Sequence, residues 1–139
     1  MLSSSAVAFI GFISWTLFLL LMIEVMRVWL VVAKKFPATE FRADNANLSP
    51  FLQRLTRAHA NCVEGFPIFG GLLIIALITD QTWITDPLSS LFLAARIGQS
   101  LAHLISLSIV AVNFRFMFFT VQLAIGLYWA AKLLLVFWQ

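Results

Sequence analysis

The chain has 139 residues, of which 62% are hydrophobic, 14% aromatic and only 11% charged, and its mean hydropathy is +0.98. Soluble domains run to about 45–50% apolar and about 25% charged residues, so an ordinary globular enzyme, a disordered segment and a disulfide scaffold are excluded. The net charge of +3 comes from nine Lys and Arg against six Asp and Glu. Most of the basic residues lie between apolar runs, where they act as topology signals and not as a nucleic-acid surface.

A helix crossing about 30 Å of hydrocarbon needs roughly 20 residues, and four segments have that length. The first covers residues 6–33; it is too long for a cleaved signal peptide and lacks a basic start, so it is expected to remain as an anchor. Within it, Glu24 and Arg27 stand three apart and are expected to neutralise each other. The connection that follows carries Lys34, Lys35, Arg42, Arg54 and Arg57 against Glu40 and Asp44. Its irregular part ends at Ser49 and Pro50, which read as the cap and first-turn residue of a helix running into the second span, residues 62–79. The next connection, 80–87, has two Asp and no Lys or Arg. The third span covers 88–112 and the fourth 116–138, with Arg115 in the short connection between them.

Continuous apolarity without a period-2 pattern argues for helices, which satisfy their own backbone groups in lipid. The expected fold is all-α: one integral membrane domain of four transmembrane helices filling residues 1–139. Basic connections stay on the cytoplasmic side, which puts the first and third connections there and both termini outside. A bacterial inner membrane and the endoplasmic reticulum fit equally well. The tryptophans read as interfacial anchors, and Gly70 and Gly71 as sites of close helix packing.

Ionisable residues inside spans are costly and are functional candidates by default. Arg54, Arg57, Asn61 and Glu64 follow one another at spacings of three, four and three, which places them on one helical face. Arg96, Gln99, Ser100 and His103 share a face of the third span. An arginine there cannot lose its charge and needs an acceptor, and Glu64 is the expected partner. The plainer alternatives are a solvated helix end for the first set and an Arg–Glu clamp between helices for the second. The chain has no HExxH, no paired Cys–His set, no phosphate-cradling glycine loop and no G-x-S-x-G elbow, so neither a metal site nor a nucleophilic triad is expected. Cys62 is alone and cannot form an internal disulfide. The polar inventory is rich in arginine, which suits an anionic ligand.

The stretch Arg54-Leu-Thr-Arg57-Ala-His59-Ala-Asn61-Cys-Val-Glu64-Gly-Phe-Pro67-Ile-Phe resembles the signature R-x-x-R-A-[HQ]-x-N-x-x-E-x-x-P-x-F of the MAPEG family, the membrane-associated proteins in eicosanoid and glutathione metabolism. Length, basic first connection and polar third helix also fit, in the manner of the microsomal glutathione transferases. The resemblance implies a left-handed four-helix bundle assembled as a homotrimer, with glutathione bound at the cytoplasmic side between subunits and a lipophilic electrophile or lipid arriving from the bilayer. By position it makes Arg57, His59, Asn61 and Glu64 glutathione-binding residues and likens Lys34 or Lys35 to a basic pair approaching the neighbour's glutathione. Arg115 takes the place of the arginine that stabilises the glutathione thiolate.

The third helix departs from the family's R-x-x-H-x-x-x-Y. One register sets Arg96, Gln99 and His103 on those three positions; the other sets His103 on the histidine, with Ser100 and Leu107 on the outer two. In both the tyrosine is missing. The activity implied is a glutathione transferase in which Arg115 is catalytic and Arg96, Gln99 and His103 complete the binding site, with peroxidase activity as a second capacity. The alternatives are a non-catalytic lipid-binding member and a purely structural four-helix protein.

Overall fold

The computed structural model describes residues 3–139. Four long helices, α1 (Ser4–Val32), α2 (Pro50–Ile78), α3 (Thr82–Ile105) and α4 (Ile109–Trp138), are joined by one long connection with a single 3-10 turn at Ala38–Glu40 and then by two short ones, with no strand among the described residues. Each of the four is long and apolar enough to cross a membrane.

Local chemistry sets the helix ends. Ser3 and Ser49 accept from the amides of Ala6 and Leu52 at 3.1 and 3.3 Å, so each satisfies one of the orphan donors of a first turn. Pro50, whose missing amide costs nothing at that position, opens α2 as expected. Helix α1 closes in a Schellman turn: Lys34 takes φ 55° and donates to Val31 O, and Lys35 donates to Leu30 O. The backbone of Lys34 thus has a structural duty of its own.

One boundary corrects the sequence reading. The third helix begins at Thr82, inside the expected 80–87 connection, and ends at Ile105 rather than continuing to residue 112. Ser106 is extended, its hydroxyl accepts from the amide of Ser108 at 2.9 Å, and Ser108 in turn caps α4 by accepting from Ala111 N at 3.3 Å. Hydropathy does not register this break, because Ile105, Leu107 and Ile109 keep the local average high while two serines do the capping. Arg115 therefore lies on the second turn of α4 and not in a connection.

Helix α3 packs against α4 along most of its length, α1 packs against α2 and α3, and α2 meets α4 only lightly. Phe92 of α3 is the hub. Its ring lies 5.7 Å from Phe12 of α1, 5.1 Å from Phe69 of α2 and 5.5 Å from Trp129 of α4, in the tilted and edge-on arrangements that aromatic quadrupoles favour. The outer faces of all four helices carry exposed Leu, Ile, Val and aromatic side chains.

Polar ties hold both ends of the bundle. At one end Asp86 accepts from the amide and hydroxyl of Ser5 at 2.8 and 2.7 Å, capping α1 from α3. At the other, the fully buried Asn45 accepts from Arg27 Nε and Nη2 at 3.1 and 2.7 Å and donates to Thr56 Oγ1. Arg27 also donates to Arg42 O and pairs with Glu24 at 3.4 Å, as the spacing led us to expect. Asn45 adopts φ 53°, a left-handed conformation that Asn tolerates better than most residues. Asn45→Ala is expected to cost about 2–3 kcal/mol, because it removes the hydrogen bonds to Arg27 and Thr56 and sets an alanine at a left-handed φ. Thermal unfolding in detergent checks this, and Asp44→Ala one residue away should leave the midpoint nearly unchanged.

Candidate functional site

The polar face of α3 is buried and engages two neighbours at once. Toward α2, Arg96 is 1% exposed and its Nη1 donates to Asn61 Oδ1 at 2.8 Å and to the Asn61 carbonyl at 3.3 Å. The guanidinium lies between the rings of Phe12 and Phe69, 5.1 and 5.5 Å from their centroids. Gly65 makes this approach possible, since a Cβ there would stand 2.6 Å from Arg96 Nη2. Nearer the first connection, Cys62 Sγ meets Ser100 Oγ at 3.5 Å. Arg54 Nε donates to Leu104 O at 3.0 Å, satisfying a carbonyl in the last turn of α3.

The expected Arg96–Glu64 pair is not formed. Among the described residues the ion pairs are Glu24–Arg27 and Arg42–Asp44, both at the surface of the chain, and Arg96 uses the neutral amide and carbonyl of Asn61 instead. The physical reason is position: Asn61 is close enough to accept twice, while Glu64, one turn further along α2, is exposed. Arg96 thus keeps an uncompensated charge deep in the bundle, and its Nε has no partner.

That charge borders a groove of about 540 Å³ between α2 and α4. Asn61, Glu64 and Arg96 form its polar end, and Ile68, Phe69, Leu72, Leu123, Leu127 and Ala130 its apolar length. An amphiphile matches this pattern better than a fully polar or fully apolar ligand.

Toward α4, two rungs continue the same face of α3. Arg115 Nη1 donates to His103 Nδ1 at 2.9 Å, and Gln122 Nε2 donates to Gln99 Oε1 at 3.0 Å. Gln122 is fully buried and was missed in the sequence reading. Its signal was available: it stands seven residues from Arg115, two turns along one face of α4. Arg96 and His103 are also seven residues apart, so the two arginine contacts sit about 10 Å apart along α3.

The structure therefore brings together Asn61, Arg96, Gln99, His103 and Arg115, with Glu64 at the rim of the groove. Arg57 is exposed on the Asn61 face of α2, one turn nearer the first connection. His59 does not join them; it is half-buried and, two residues from both Arg57 and Asn61, points to another side of α2. Lys34 is exposed on the turn after α1. Gln99 and His103 are 4% and 8% exposed and already engaged by α4.

Comparison with curated proteins and comparison with solved structures give no match. A family model described as the MAPEG family matches residues 6–135, nearly the whole chain. With four helices able to span a bilayer and this match along them, the chain is a multi-pass integral membrane protein and belongs to the MAPEG family.

Proposed function

We propose that the protein is a membrane-bound glutathione transferase that joins the glutathione thiolate to lipophilic electrophiles on the cytoplasmic side, in a homotrimer. The observation that carries this reading is the pair of arginines held along one polar face of α3: Arg96 of α3 with Asn61 at depth, and Arg115 of α4 with His103 two turns nearer the first connection. Arg57, Asn61, Arg96 and Glu64 grip the carboxylates and ammonium of glutathione, and Lys34 approaches from a neighbouring subunit. Gln99 and His103 shape the α4 side of the site.

A free thiol has a pKa of about 8.5 and is only a few per cent thiolate at pH 7. A guanidinium held against the sulfur stabilises the anion and raises that fraction. Arg115 supplies this effect without a general base. The sulfur then attacks an electrophilic carbon; a C–S bond forms, the leaving group departs with its electron pair, and the thiol proton goes to solvent. With a hydroperoxide, two glutathione molecules are oxidised to the disulfide while the peroxide is reduced to an alcohol and water.

The test is turnover of the full chain in detergent with glutathione and a chlorodinitrobenzene, and separately with a lipid hydroperoxide. Saturable conjugation or reduction that depends on both substrates is the expected result. Glutathione binding with no turnover of either electrophile would instead favour the non-catalytic, lipid-binding reading, to which the apolar length of the α2–α4 groove lends itself.

A further inference from the structure

The contact between Arg115 and His103 has a chemical requirement that simple packing does not. Arginine carries donors only, so at 2.9 Å His103 Nδ1 must accept. A ring that accepts at Nδ1 is neutral and holds its proton on Nε2. The contact thus needs one charge state and one tautomer of His103. No carboxylate lies within ion-pairing distance of Arg57, Arg96 or Arg115 among the described residues.

We propose that His103 is a positioning residue for Arg115. Its Nδ1 takes one prong of the guanidinium fork and so fixes the plane in which the remaining N–H groups point. A neutral acceptor does this without cancelling the positive charge, whereas an aspartate or glutamate in the same place would hold the fork and quench it. The neighbouring Gln99–Gln122 rung, buried at both ends, locks α3 to α4 about one turn away along α3 and keeps the acceptor in register with the donor. This assignment rests on the reading that Arg115 faces the glutathione sulfur.

His103→Leu removes the acceptor at similar bulk, and His103→Asn restores one, because Oδ1 takes the place of Nδ1. Both are compared with the parent for the thiolate absorbance of bound glutathione and for kcat and KM with chlorodinitrobenzene. The leucine variant should lose most of the thiolate signal and about ten- to a hundredfold in kcat, the scale of a misplaced catalytic group, with the glutathione KM little changed. The asparagine variant should recover at least half of the signal and much of the rate, and it carries the test if the leucine variant misfolds. A leucine variant equal to the parent, or losses in kcat and KM together that asparagine does not rescue, would overturn the assignment while leaving the transferase reading intact. A parent protein that binds glutathione with no thiolate signal would overturn that reading, and this one with it.

Discussion

Arg115→Ala is expected to lower kcat about 10²–10³-fold, the typical loss on removing one preorganised electrostatic donor, with glutathione affinity nearly unchanged. The split follows from what Arg115 does in the proposed site. It touches neither end of the peptide but the sulfur, so its contribution grows as the thiol gives up its proton and negative charge develops. Removing the stabiliser of the anion lowers the ionised fraction of bound glutathione and with it kcat, while the contacts to the carboxylates and ammonium retain most of the affinity. Equal losses in kcat and affinity would make Arg115 an anchor and nothing more. Steady-state kinetics together with equilibrium binding of glutathione separates the two.

Arg96→Met is expected to leave the fold standing and to weaken glutathione binding about tenfold or more, which is about 1.4 kcal/mol. Arg96 is 1% exposed, without a carboxylate partner, and lies between two phenylalanine rings. An unpaired guanidinium in such a place is costly, and replacing buried ionic groups by apolar side chains of similar volume is often neutral or stabilising. A methionine should therefore keep the unfolding midpoint near or above that of the parent. What it removes is the hold on Asn61 Oδ1 and the charge at the polar end of the groove. The opposite pattern, unchanged affinity and a large fall in stability, would make Arg96 a clamp between α2 and α3. Isothermal titration and thermal unfolding on the same preparation decide the matter.

The helices and most of the polar face of the bundle were legible in the sequence because both depend on local period. Four apolar stretches of spanning length, Ser49-Pro50 at the start of α2, and the spacing of Arg96, Gln99, Ser100 and His103 each follow from chain-local rules. The break between α3 and α4 was not legible, since two serines capped it inside a run of apolar neighbours. That misplacement put Arg115 in a connection, when it is a helical residue whose register on α4 brings it to His103. Partner choice was the second failure. Charge alone pointed Arg96 at Glu64, but the decision between a carboxylate and an amide depends on side-chain reach and on the room left by Gly65, both of which are tertiary facts. Gln122 divides the same way: its place on the Arg115 face of α4 was legible from the seven-residue spacing, but its partner Gln99 is a tertiary fact.

The central claim, that the protein ionises glutathione, is tested most directly by titrating the purified full chain with glutathione while following the ultraviolet absorbance of the thiolate at neutral pH. The account predicts a saturable thiolate band in the parent and its loss in Arg115→Ala, which still binds the peptide. Saturated binding with no thiolate band, or an equal band in both proteins, would contradict it.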